Sequence, residues 1–116
     1  MQYLFLIYSN EKDDPQPGTP EGDKLFGDYM KFEEEVKANN VRLGANALQP
    51  VATATTVRIR DGKTATTDGP FAETKEQLGG YYLLECKDLD EAIDYAAKIP
   101  SATNGSIEIR PVMKFD

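Results

Sequence analysis

Histidine and tryptophan are absent from this 116-residue chain, and cysteine occurs once, at Cys86. The lack of histidine removes the commonest general base near neutral pH and the commonest metal ligand. A single cysteine excludes an intramolecular disulfide and makes the cytoplasm the expected compartment. With no histidine to activate it, Cys86 is expected to be a buried, inert thiol. No apolar run reaches the roughly 18 residues that a membrane span needs. The opening stretch, Met1 to Tyr8, has neither a basic leader nor a small-residue cleavage site and is expected to be a strand. Basic residues are outnumbered, 13 against 20 acidic ones, for a net charge of -7. Such a chain repels phosphate backbones and anionic membrane surfaces, so neither nucleic acid nor membrane is an expected partner. There is no P-loop, no G-x-G-x-x-G and no zinc spacing. The acidic runs Asp13-Asp14 and Glu33-Glu34-Glu35 lack a calcium-loop pattern. No metal or other cofactor is expected.

Hydrophobic residues make up 40% of the chain, a proportion that supports one globular domain spanning residues 1–116. Tyr3 to Tyr8 is an unbroken apolar and aromatic run of strand formers. Ser9 to Thr19, with Pro15, Pro17 and Gly18, reads as a mobile loop. Thr19-Pro20-Glu21 carries a hydroxyl N-cap, a proline at the first helical position and an acid in the first turn. Leu25, Tyr29, Phe32 and Val36 then recur at helical spacing, widened by Phe26 and Met30, until Asn39-Asn40. Strands are predicted over Val41 to Leu48 and over Thr56 to Arg60. Asp61-Gly62 then turns into Lys63 to Thr67, the signature of a type I′ hairpin. A further strand covers Tyr81 to Leu84. Asp88-Leu89-Asp90-Glu91 resembles a capping box. It opens a helix whose apolar stripe is Leu89, Ala92, Ile93, Ala96 and Ala97, ended by Ile99-Pro100. Ser106 to Val112 closes the chain as a strand, with Pro111 marking a sheet edge or strand end.

The order predicts an α+β fold: a ferredoxin-like βαββαβ domain with an extra central hairpin, its two helices on one face of an antiparallel sheet. Such a sheet should alternate polar and apolar residues. Tyr3 to Tyr8 and Tyr81 to Leu84 do not, so both faces of those strands need cover. A second copy of the chain, related by a two-fold axis, covers the open face most simply and gives a homodimer. The other available cover is the Ser9 to Thr19 loop or the Pro70 to Gln77 segment.

Candidate chemistry concentrates at Asp68-Gly69-Pro70-Phe71. As structure, it is a turn: Asp bonds its own backbone, Gly takes positive φ, Pro fixes the next step, and Phe71 plugs the loop in place. As a site, it is defined by register. A two-residue turn at Asp61-Gly62 sets Val57 opposite Thr66 and Thr55 opposite Asp68. Asp68 then shares the Val57/Ile59 face unless a bulge intervenes. A carboxylate against apolar surface can act as an acid or base. Arg58 and Arg60 fall on the other face as a solvated charge row. The tyrosines are core residues with polar tips or pocket linings.

The residues from Ala52 to Lys63, Thr67 to Tyr82, Asp90-Glu91-Ala92, Ile99-Pro100 and Glu108 to Val112 closely resemble YCII-related proteins of the DGPF type. The resemblance covers nearly the whole chain. It implies a single ferredoxin-like domain assembled as a dimeric α+β barrel, a bacterial source and a cytoplasmic location. Some proteins of the wider group have been proposed as enzymes with a His/Asp pair in a cleft, the histidine being on the first helix. Here Tyr29 stands in roughly that place, which rules out a histidine-dependent mechanism, and Asp68 matches the acidic partner. DGPF-type relatives are often encoded beside extracytoplasmic-function sigma factors, which implies a regulatory association.

Two expectations follow. In one, the chain is a binding or regulatory dimer that recognises a small molecule or a protein partner. In the other, it is an isomerase- or lyase-like enzyme. There the site is in the dimer cleft: Asp68 is the acid or base, Tyr8 and Tyr29 orient the ligand, Arg58 or Arg110 neutralises an anionic group, and Gly69, Pro70 and Phe71 line the site.

Overall fold

The computed structural model describes residues 1–115. The elements are β1 (Gln2–Ser9), α1 (Pro20–Ala38), β2 (Arg42–Ala47), β3 (Thr55–Arg60), β4 (Lys63–Asp68), β5 (Gln77–Glu85), α2 (Leu89–Lys98) and β6 (Ser106–Pro111). Short 3-10 turns occupy Val51–Thr53 and Pro100–Thr103. Four strands form one sheet in the order β2-β5-β1-β6, with every neighbouring pair antiparallel. Strands β3 and β4 pair only with each other. The arrangement is α+β and compatible with a ferredoxin-like fold into which a hairpin has been inserted between the second and third sheet strands.

Alternation along β1 sorts its residues between two faces. Tyr3, Phe5, Ile7 and Ser9 are buried, whereas Leu4, Leu6 and Tyr8 are only half-buried. On β5, Tyr82 and Leu84 are buried beneath the helices, while Tyr81 and Leu83 lie on the other face. The core joins these strand residues to Phe32 and Val36 of α1 and to Ala92, Tyr95 and Ala96 of α2, with Cys86 and Ile99 at its end. Phe32 meets Tyr82 edge to face, with ring centroids 5.0 Å apart. That geometry adds about 1 kcal/mol beyond area burial. Both helices thus serve one face. The opposite face presents Leu4, Leu6, Leu83 and Tyr81 in a half-buried patch. Leu6 lies opposite Glu108 and Leu4 opposite Arg110 on the edge strand β6.

Local signals in the sequence act as expected at the helix starts and the hairpin turn. The Thr19 hydroxyl accepts from the Gly22 amide at 3.0 Å, with Pro20 beginning α1. Asp88 caps α2 by accepting from Glu91 N at 2.9 Å. Glu91 reaches back to accept from Lys87 N at 3.1 Å, a capping box displaced by one residue. Asp61 and Gly62 adopt φ of 53° and 74°, the left-handed pair that a type I′ turn needs. Pairing runs unbroken from Arg60 opposite Lys63 to Thr55 opposite Asp68, so no bulge disturbs the register. Pro111 is the last residue of an edge strand.

Four expectations need correction. Strand β5 begins at Gln77 rather than Tyr81. Gly79 and Gly80 are part of it, and the register shift opposite Ile7/Tyr8 falls at Gly79. Helix α2 is rotated from its expected face: Tyr95 is buried, whereas Leu89 and Ile93 are about half exposed and Ala97 faces solvent. The bulk of Tyr95, whose hydroxyl accepts from Asn39 Nδ2 at 3.0 Å, fixes that rotation. Phe71 is no plug. It is 77% exposed.

The Ser9 to Thr19 loop, finally, is tied down along its length. Ser9 donates to Asp14 at 2.7 Å, Glu11 N to Gln77 at 3.0 Å and Val51 N to Glu11 at 3.1 Å. The loop also packs against the start of α1. The Gln16 carbonyl lies so close to Gly22 that a Cβ there would collide with it.

Candidate functional site

A cleft of about 940 Å³ opens between α1, the Ser9 to Thr19 loop and the β2 side of the sheet. Its origin is compositional. On the helix-facing side of β2 and β5, Ala45, Ala47 and Gly80 supply almost no side-chain volume. Gly80 itself is packed against backbone, and a Cβ would meet the Asn46 carbonyl at 2.8 Å. Along α1, Phe32 and Val36 are buried in the core and Tyr29 packs against it. Phe26, Met30 and Glu33 run at helical spacing along the flank that faces β2. A helix over a strand of small residues leaves a gap that close packing would otherwise fill. The gap has an apolar rim, because Phe26 is 66%, Met30 43% and Leu48 49% exposed.

Two polar devices sit in the floor. Glu33 lies against Arg42 of β2, and its second oxygen accepts from the Tyr82 hydroxyl at 2.8 Å. The side chains of Glu33 and Arg42 are 15% and 29% exposed. Arg42 Nε is buried and meets Glu33 as a charge pair, without the angle of a true hydrogen bond. Lys37, one turn along α1, adds a second positive charge 3.6 Å from Glu33. Burial, and then the hydrogen bond to Glu33, holds the Tyr82 hydroxyl far above the usual phenol range, so it stays a neutral donor. The second device is Tyr29, whose hydroxyl is 2.6 Å from Ser101 Oγ. Burial raises Tyr29 more than its hydrogen bond to Ser101 lowers it. Asp14 closes the far wall, accepting from Ser9 at 2.7 Å and from Asn104 at 3.4 Å.

Of the candidate site residues Tyr29 lines this cleft, and of the other tyrosines expected as core or pocket lining Tyr82 does too. Tyr8 points to the open face, where its hydroxyl donates to Glu108 at 3.3 Å. Burial, and then the Glu108 charge, raises its pKa. Arg110 is on that same face, 3.9 Å from Glu108. Asp68 ends β4 in solvent. The turn after it is held by the hairpin. Gly69, at φ 102°, donates its amide to Ala54 O at 2.7 Å, and its carbonyl accepts from Thr56 at 2.8 Å. Arg58 is more than a solvated charge, since it donates to the Phe71 carbonyl at 3.3 Å. Pro70 borders a separate, shallower depression with Ala72 and Thr74. The sequence reading missed Glu33, Arg42, Ser101 and Asp14, and it placed Tyr82 only among the tyrosines that could be core or pocket lining. Glu33 was visible only as part of an acidic run. Its partner Arg42 comes from another element, and no spacing rule links them. No group of three or more metal-type ligands occurs among the described residues, and no helix among them is long and apolar enough to cross a membrane.

Fold and cleft together define a small α+β domain with one helix-covered face that carries the cleft and one open face. The YCII-related domain family matches residues 1–116. An uncharacterized protein of Rhizobium meliloti (strain 1021) is 40% identical over 116 residues, which cover 97% of this chain and 92% of that protein. The chain belongs to the YCII-related family.

Proposed function

We propose that the chain is a small-molecule-binding module that works as a homodimer, with the cleft between α1 and β2 as its binding site. The observation that carries this is the cleft itself. Its volume is in the range of ligand pockets, it is mostly apolar, and it holds a few fixed polar groups: Tyr29-Ser101 and Tyr82-Glu33-Arg42. The half-buried Leu4, Leu6, Leu83 and Tyr81 support pairing of two copies through the open face. Exposed Val57, Ile59 and Phe71 on the hairpin favour a protein contact there as well, with the second copy or with a regulatory partner. Asp68-Gly69-Pro70-Phe71 is then a structural turn that carries the hairpin back to the sheet, and Asp68 is no acid or base.

The test is a thermal-shift screen of the full chain against a broad metabolite panel, repeated with Ala47→Trp and Asp68→Asn. Ala47 is exposed at the cleft wall, so tryptophan fills the cleft without entering the core. A ligand at about 100 times its dissociation constant adds about 2.7 kcal/mol of stability. The expected result is a hit lost in Ala47→Trp and kept in Asp68→Asn. A hit lost only in Asp68→Asn would move the site to the hairpin and restore the acid/base role.

A further inference from the structure

The charges around the cleft are one-sided. Four carboxylates line it, those of Glu11, Asp14, Asp23 and Glu33, against the single guanidinium of Arg42. Arg42 is already committed to Glu33. Arg58 and Arg110, the expected neutralisers of an anionic ligand, lie elsewhere. Among the described residues, Glu11 and Asp14 accept hydrogen bonds from the neutral groups Val51 N, Ser9 and Asn104, and neither is in an ion pair. Asp23 is in no ion pair among the described residues and sits in the first turn of α1, where it faces the helix dipole alone. These three carboxylates line a cavity together with exposed apolar residues and with Tyr29 and Tyr82.

We propose that the cleft selects a cationic amphiphile: a primary or secondary amine on a compact apolar or aromatic body. An ammonium group gains from three carboxylates without an ion-pair partner in a concave site. A carboxylate or phosphate ligand would meet a repulsive field and one preoccupied arginine. The apolar body takes the space over Ala45, Ala47 and Gly80, bounded by Phe26, Met30 and Leu48. The inference rests on the cleft being the binding site.

Three ligands of one skeleton separate charge from shape: 2-phenylethylamine, 2-phenylethanol and 3-phenylpropionate, each titrated calorimetrically into the full chain at low salt. The amine is expected to bind at least about tenfold more tightly than the carboxylate, with the alcohol between them. Asp23→Asn, which removes an exposed carboxylate that holds no other residue, is expected to weaken the amine about threefold and leave the alcohol unchanged. The double variant Glu11→Gln/Asp14→Asn should weaken it further, with circular dichroism confirming the fold. Equal or tighter binding of the carboxylate or the alcohol would overturn the charge preference and leave the cleft standing as the site. If none of the three binds while the metabolite panel gives a hit lost in Ala47→Trp, the amine preference alone falls. If that panel is empty too, the cleft falls with it.

Discussion

Glu33 serves Arg42, Tyr82 and Lys37 at once. Replacing it with glutamine keeps an acceptor for the Tyr82 hydroxyl but strips the charge opposing Arg42, whose guanidinium is mostly buried. The expected cost of Glu33→Gln is about 2 kcal/mol in urea unfolding, because one partner of a largely buried pair is left alone. Removing both charges in Glu33→Gln/Arg42→Met should recover much of that loss, and a double-mutant cycle measures how much. Cys86 responds to pH instead. It is 1% exposed, and burial, followed by the nearby Glu91 and Glu85, raises its thiol from 9.0 to about 11. A raised folded-state pKa stabilises the protein below the unfolded value, and that contribution is lost as pH climbs through the folded one. Stability should therefore fall by roughly 2 kcal/mol between pH 9 and pH 11, and Cys86→Ala should abolish that part of the decline. The thiol should also react slowly with alkylating reagents at pH 8.

The β3-β4 hairpin is an element with little support from its own chain. Val57 is 60% exposed and Ile59 66%, and the pair joins no other strand. Two-stranded hairpins are marginal in isolation, so this one depends on its turn and on its ties to the Gly69-Phe71 segment. Gly62 has open space around it, but its φ of 74° penalises any side chain. Gly62→Val should raise amide exchange across Thr55–Asp68 by about tenfold, following a local cost of about 1–2 kcal/mol. The global melting temperature should barely move, because the core lies in the other sheet. A large drop in melting temperature would mean that the hairpin is packed into a cooperative unit, as it would be against a second copy.

The whole molecule is flat. Its extents are 48 × 47 × 19 Å, and its radius of gyration is 16.2 Å, against about 13 Å for a compact domain near this length. Two layers and a protruding hairpin account for the excess, and a second copy on the open face would add a layer over Leu4, Leu6 and Leu83. Sedimentation is expected to give twice the chain mass. Leu6→Lys should give the chain mass with unchanged circular dichroism, since the new ammonium sits opposite Glu108 and can pair with it across the strands. A wild-type chain that sediments as a monomer would remove the two-copy assembly and leave the hairpin and open face to a different protein.

Periodicity and turn chemistry were enough to place both helices, the Asp61-Gly62 turn, the hairpin register and the proline at the sheet edge. These features are set by residues within a few positions of one another, where sterics and capping act directly. The double-faced apolar strands also disclosed an open sheet face. The rotation of α2 escaped, because Leu89, Ile93 and Tyr95 compete for burial and only the shape of the sheet beneath decides among them. The cleft escaped for a similar reason. It arises where small residues on β2 and β5 pass under one flank of α1, and no local pattern marks a space that is left unfilled. Glu33, Arg42, Tyr82 and Ser101 are far apart in the chain, and their chemistry exists only where the folded elements bring them together. Asp68 drew notice through a conspicuous turn motif, yet folding left it in solvent. A turn can be read from its neighbours, whereas a site depends on what long-range packing encloses.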